Sequence, residues 1–383
     1  RIAQTDRSEF YILALFSLLG MMILSSANHL LMLYLGLELF ALPLYGLVVL
    51  SAPTTAEAPE SAIKYFVMGG VSTGIMLYGI SLLYGLTGHL DFPSILSVLS
   101  GDNLLGLTAA LCLLVGVAFK FGAVPFHKWM PDVYQASGAR LTLFVATTSK
   151  IAAFLLAYRV LVCIFPDFSY TKIACLGIAT LSLLVGNFVA VLQTKIKRLL
   201  AYSTIAQVGF VFLAFGTDAK FGMSAALFYV LTYVLASLSA FGVLLMLTRN
   251  GREIASVDDL RGLGEAHPRL AFVMLISVFS MAGIPPTVGF YAKLLVFQAL
   301  MLQGYLGLVI FALLASVVAA YYYLRIIKVM YFESMNEAGH VGLTRVGEIL
   351  HIGLLNICAV SLLVFGVLPS LLHPLCVYAL GLT

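Results

Sequence analysis

The chain has 383 residues, 62% of them hydrophobic and 10% charged, with 21 Lys plus Arg against 17 Asp plus Glu. Globular domains carry about a quarter charged residues, so this composition excludes an ordinary soluble domain and describes a polytopic membrane protein. A net charge of +4 on this length gives no reason to expect a nucleic-acid partner.

Eleven apolar segments are long enough to cross a hydrocarbon layer of roughly 30 Å. They run 8–27, 29–50, 61–86, 104–124, 140–165, 171–193, 199–217, 220–248, 269–300, 304–332 and 347–370. Helices satisfy their own backbone in lipid, and the two-residue alternation of barrel strands is absent. The expected fold is all-α, with about eleven transmembrane helices.

In chain order, the second segment carries Glu38 within "LYLGLELFALPLYG", nine residues past His29. At 1.5 Å per residue that is roughly 14 Å deep, near the bilayer centre. After the third segment, "GHLDFPSILSVLSGDN" (88–103) reads as a short amphipathic stretch lying in the interface. The fourth seats Lys120 and then breaks at "FGAVPFHKWMP". The fifth holds Lys150, ten residues past Arg140 and about half way across. Segments six to eight lead to the connector 248–269, charged and long enough for a short surface helix. The ninth, "SMAGIPPTVGFYAKLLVF", breaks at Gly283, Pro285 and Pro286 before Lys293.

Proline removes a donor and frees a carbonyl one turn back, which in a membrane survives only against protein or a wet cavity. The two broken segments are five helices apart and run in opposite directions. They fit two inverted five-helix repeats, residues 1–165 and 171–332, followed by a C-terminal helix and tail, 347–383.

Labelling helix ends alternately places fifteen of the 21 basic residues on one face and three on the other. The positive-inside rule makes the first face cytoplasmic, with the chain's N-terminus inside and its C-terminus outside. The three basic residues left over are Lys120, Lys150 and Lys293, and the one embedded acid is Glu38. Burying such charges costs several kcal/mol or more unless they pair, hydrate or neutralise. A carboxylate favours the ammonium and an apolar site the amine, so a lysine between them can exchange protons; arginine cannot. This points to a proton relay: Glu38 with Lys120 as a modulating pair, Lys150 as intermediate, Lys293 as the far terminal.

Supporting polar groups would be Tyr34, Ser72, Thr147, Thr148 and Ser149 in the first unit, and Ser203, Thr204, Gln207, Tyr229, Thr232 and Tyr233 in the second, with His127 beside the first break as a further proton group. The competing readings are plain ones. A lysine near a helix end can snorkel to the headgroups, Glu38 can serve only to neutralise, and Ser and Thr often only pack helices. Five scattered cysteines, no CxxC, no paired intramembrane histidines and no phosphate loop leave no metal, redox or nucleotide site on this chain. Energy must therefore come from partners.

"ELFALPLYGLVVL", "SAIKYFVMGGVSTGIMLYGISLLYGLTG", "FKFGAVPFHKWMPDVYQ", "IKRLLAYSTIAQVGF" and "MAGIPPTVGFYAK" resemble, in order and spacing, the antiporter-like membrane subunits of respiratory complex I. The "KYFVMGG…STGIMLYG" block is most similar to the subunit N branch of the bacterial NADH–quinone oxidoreductase. The resemblance implies a proton-translocating subunit in a bacterial inner membrane, with antiporter-like and small membrane subunits as partners. NADH, FMN, Fe–S clusters and quinone would belong to other subunits. An Mrp-type cation/proton antiporter subunit is the alternative. By resemblance Glu38, Lys120, Lys150 and Lys293 fall on the family's proton-path residues, while Gln207 stands where many relatives carry histidine. Family members typically have fourteen helices, so a chain beginning at Arg1 is expected to lack the first three.

Overall fold

The computed structural model describes residues 8–51, 57–99, 104–165, 169–218, 220–249, 252–334, 341–343 and 348–381. Its helices are α1 (Ser8–Ser26), α2 (Leu30–Ser51), α3 (Glu57–Thr87), α4 (Phe92–Val98), α5 (Leu104–Phe121), α6 (Trp129–Ala136), α7 (Ala139–Leu161), α8 (Ser169–Leu192), α9 (Ile196–Phe215), α10 (Phe221–Met246), α11 (Leu263–Ala266), α12 (Pro268–Ala282), α13 (Val288–Leu302), α14 (Leu306–Phe332), α15 (Glu348–Val367) and α16 (His373–Ala379). Among the described residues nine helices are long and apolar enough to span a membrane: α1, α2, α3, α5, α7, α8, α9, α10 and α14. α12 and α13 are shorter apolar helices on either side of the second break, and α15 bends by 100° into the segment ending with α16. With that bent pair taken as one span the described residues hold ten, against about eleven expected, and the two short helices α12 and α13 occupy the ninth apolar run.

Differences at the ends have simple causes. α3 starts at Glu57, before the apolar run, because its first turn is acidic and suits the positive end of the helix dipole. At 31 residues it measures about 46 Å, longer than the hydrocarbon layer, so its charged first turns extend past it. There Lys64 pairs with Glu60 at 2.7 Å and with Asp132 of α6 at 3.5 Å, and Arg198 of α9 meets Asp132 at 3.2 Å. The interfacial stretch is α4, capped by the Asp91 carboxylate on Ser94 N–H at 3.0 Å. Hydrogen bonds from Ser94 hold the Asp91 carboxyl below the usual carboxylate range. Residues 100–103 of that stretch, and Arg1, Arg7 and Arg345 of the charge count, lie outside the described residues.

The centre of the bundle is α9, buried at every residue except Arg198 and Tyr202. Around it α1 packs on α2 and α3 on α5, while α8 packs on α9 and α10 on α12. α1 and α2 approach so closely that a Cβ on Gly20 would collide with the backbone of Phe40, which is the small-residue packing of membrane helices. Outer helices expose large apolar side chains such as Leu15, Met22, Val317 and Phe332, a surface suited to hydrocarbon.

The connector holds more than a short helix. Strands β1 (Leu247–Arg249) and β2 (Arg252–Glu253) pair antiparallel, and β3 (Val341–Leu343), from beyond α14, pairs with β1 on the other side. The Asn250–Gly251 dipeptide between two extended runs is the sequence signal for such a hairpin. A 3₁₀ turn at Asp258–Leu260 and the short α11 follow. Burial pushes the Asp259 carboxyl up, but Ser256 and Ala255 N–H at 2.8 and 3.1 Å, with Arg249 at 3.2 Å, hold it below its ordinary value.

Candidate functional site

α5 ends because Gly122 turns the chain with φ +71°, a left-handed conformation that only glycine adopts readily. Gly122 N–H returns to Phe119 O at 2.9 Å and Ala123 N–H to Ala118 O at 2.8 Å. The next N–H, Val124, goes to Ser182 Oγ at 3.0 Å, and Pro125 has none to place. Two carbonyls at the helix end take donors from elsewhere. Trp129 Nε1 donates to Phe119 O at 3.1 Å, and Lys150 Nζ donates to Phe121 O at 2.9 Å. Lys150, 1% exposed in the middle of α7, therefore bonds the residue next to Lys120. Its ammonium also lies 5.9 Å from the Trp129 ring, itself stacked on Tyr65 at 4.4 Å.

The second break repeats this design. Gly283 has φ +82°, its N–H reaches Phe279 O at 2.9 Å, and Ile284 N–H reaches the same oxygen at 3.0 Å. Lys293 Nζ donates to Ala282 O at 2.8 Å, the last residue before the break, and to Ser316 Oγ of α14 at 3.3 Å. It lies 4.9 Å from the Phe210 ring. A further carbonyl, Met281 O, accepts Gln207 Nε2 at 2.8 Å. Gly289 permits the tight re-entry into α13, since a Cβ there would collide with Ser280 O.

Lys120 and Glu38 behave differently. Lys120 is 3% exposed, and its Nζ, like Glu38 Oε1, is buried without a hydrogen-bond partner. Among the described residues no ion pair joins the two. None of the three lysines snorkels, since all are buried. An orphaned buried amine opposite an orphaned carboxylate oxygen is a place for bridging water.

Polar groups of α9 and α10 gather beside the second break. Gln207 is held by three contacts: its Nε2 donates to Met281 O and to Tyr323 OH at 2.9 Å, and Tyr229 OH donates to its Oε1. Ser203 shares a hydrogen bond with Tyr323, and Thr204 meets Tyr233 OH at 2.7 Å. Gln207, Tyr229, Thr232, Tyr233 and Ser280 line a cavity of about 10 Å³, room for roughly one water. Thr148, Ser149, Thr204 and Thr232 all give their hydroxyl protons to their own helices, at Phe144 O, Val145 O, Leu200 O and Tyr229 O, which leaves Thr204 to accept from Tyr233. They are not aimed at a lysine, because the i−4 or i−3 carbonyl is the nearest acceptor. His127 is half-buried beside the break, its Nδ1 unpartnered.

The sequence reading assigned nothing to Trp129, Tyr323 or Ser316. Trp129 is the chain's only tryptophan and sits two residues past His127 in the broken stretch, which was a usable signal. Trp129→Phe is expected to remove one of the two donors to Phe119 O, with Gly122 N–H remaining, and to weaken the ring under Lys150. The expected cost is about 0.5–1.5 kcal/mol, read as a lower melting temperature of the assembled membrane complex. An unchanged melting curve would remove Trp129 from the architecture of the break.

Comparison with known proteins fits this geometry. The NADH:quinone oxidoreductase/Mrp antiporter transmembrane family model matches residues 27–319. NADH-quinone oxidoreductase subunit N of Thiobacillus denitrificans is 44% identical, covering all of this chain and 79% of that protein. The Halorhodospira halophila subunit N is 46% identical over 98% of this chain and 78% of its own. A chain of respiratory complex I from Thermus thermophilus superimposes with TM-score 0.84 at 36% identity, over 97% of this chain and 81% of that one. A chain of the Mrp complex from Dietzia, 21% identical with TM-score 0.85 over 96% of this chain and 77% of its own, shares the fold. With two broken helices, each closed by a buried lysine, this chain belongs to the NADH:quinone oxidoreductase/Mrp antiporter family of transmembrane subunits.

Proposed function

We propose that this chain translocates protons as subunit N of a bacterial NADH–quinone oxidoreductase, through Glu38, Lys120, Lys150 and Lys293. It is a multi-pass subunit of a membrane complex and works with the neighbouring membrane subunits. The observation that carries the reading is the use of a buried, mid-helix lysine to hold the last carbonyl before each helix break. A structural cap needs only a neutral donor, whereas an ammonium in that place costs several kcal/mol unless its charge has a use.

The steps follow from the geometry. Glu38 holds the charge that sets the affinity of Lys120 for a proton. A proton on Lys120 has Phe121 beside it, and Phe121 O is already the acceptor for Lys150. Loss of a proton by Lys120 favours its gain by Lys150 when water links them, because like charges repel in a medium of low dielectric. From Lys150 the proton crosses by way of Thr204, Tyr233 and water in the cavity beside Gln207 to Lys293, and Ser316 is its first contact beyond. Residues 1–165 and 171–332 form the two inverted units, each contributing one break. The face bearing the connector is cytoplasmic, as is the chain's N-terminus, and its C-terminus is periplasmic. NADH, FMN, Fe–S clusters and quinone act in partner subunits, and their redox energy reaches this chain as changes of field and contact.

The test is ion identity. Proteoliposomes of the complete complex should acidify on NADH oxidation with no requirement for Na⁺ or K⁺. Proton exchange by the isolated chain that depends on Na⁺ or K⁺ would favour the cation/proton antiporter.

A further inference from the structure

We propose that Glu253, on the connector, positions Lys150 by clasping the first turn of α7, so that movement of the connector is felt at the first helix break. The proposal rests on Lys150 carrying protons as argued above. Helix α7 begins at Ala139 behind Gly138, which has no side chain to cap it. The cap comes from 114 residues away: Ala139 N–H lies 3.1 Å from Glu253 Oε1 and 3.3 Å from Oε2. A carboxylate at this end also meets the positive pole of the helix dipole.

Glu253 does a second thing there. Its Oε2 accepts Lys197 Nζ at 2.7 Å, and Lys197 also donates to Ser137 O at 2.9 Å. The Lys197 side chain is 8% exposed and Glu253 is 45% exposed, so the acid is the wet half of the pair. Two elements, β2 and the first turn of α9, thus converge on the α6–α7 joint at Ser137 and Ala139. The backbone around Glu253 is fixed on both sides. Glu253 pairs with Thr248 of β1, and beyond it Val257 N–H reaches Thr194 O at 2.9 Å and Ile196 N–H reaches Ala255 O at 3.1 Å.

What the clasp fixes is the height of α7. Lys150 lies eleven residues past Ala139, about 16 Å along a straight helix. Its bond to Phe121 O is 2.9 Å long, and a slide of about 1 Å would take it beyond hydrogen-bond range. The loop from the break through α6 to α7 is therefore closed at two points, Lys150 at one end and Glu253 at the other. Only the second lies where a neighbouring subunit or the solvent can reach it.

The test uses the assembled complex in membrane vesicles and two readouts. Glu253→Ala should speed amide exchange in the first turns of α7 about fivefold, the loss of one cap. It should also lower protons moved per NADH oxidised severalfold, and Glu253→Gln, which keeps an acceptor oxygen, should lower it less. Adding Lys197→Met to Glu253→Ala should not restore pumping, because the cap is still missing. In a Lys150→Met background Glu253→Ala should change pumping no further. Unchanged exchange overturns the clasp. Normal pumping in Glu253→Ala when Lys150→Met is defective, or rescue by Lys197→Met, overturns the positioning role. Normal pumping in Lys150→Met alone would instead strike the relay on which the proposal rests, leaving the exchange result to judge the clasp.

Discussion

Lys150→Met in the assembled enzyme should abolish proton movement through this chain, and Lys150→Arg should not restore it. Methionine fills a similar volume with an unbranched apolar chain but removes the donor to Phe121 O and the exchangeable proton together. Arginine keeps a positive charge and donors for that carbonyl but holds its proton at any working pH. The pair of variants therefore separates structure from chemistry. If Lys150 were only a helix-end cap, arginine would support pumping and methionine would chiefly lower stability. Under a relay both fail, and protons per NADH drop by this chain's whole share. Vesicle acidification against NADH oxidation measures it, and a normal ratio in both variants would sink the relay.

The positions of the charged groups were legible in the sequence because a bilayer enforces a strict rule. Lys150 and Glu38 stand out against long uncharged runs, and counting residues from the helix ends placed them at depth. Lys120 was less clear, since straight counting set it near a helix end where it could have reached water. Burial to 3% depends on Gly122 turning the chain and on α6 folding back over the break, which spacing alone does not show. The partners of the lysines were illegible for a related reason. They are largely backbone carbonyls, at Phe121 and Ala282, and any residue has one.

The hydroxyl groups show the opposite failure. Ser149 and Thr148 adjoin Lys150 in sequence, yet adjacent helix positions point to different faces, and their protons go to their own helix. Tyr323, far in the chain from the three buried lysines Lys120, Lys150 and Lys293, organises Gln207 and Ser203. Glu253 looked like one more charge in a solvated connector. Only the fold brings it to α7.

The second large effect is expected at Lys293, where two contacts can be separated. Lys293 donates to Ala282 O and to Ser316 Oγ, so the carbonyl is the structural contact and the hydroxyl the onward one. Ser316→Ala removes the hydroxyl and leaves the break capped. It should leave the melting temperature of the complex nearly unchanged while cutting protons per NADH, because water must replace the lost hydroxyl. Lys293→Met removes both contacts and leaves Ala282 O buried without a donor, a cost of about 1–3 kcal/mol. It should stop pumping through this chain and lower the melting temperature as well. Lys293→Arg should keep the cap and the stability and still fail to pump, as at Lys150. A Ser316→Ala enzyme with full pumping would leave Lys293 without its proposed route onward. A Lys293→Arg enzyme with full pumping would reduce the second break to a charged hinge, and the proton path would have to leave the chain before reaching it.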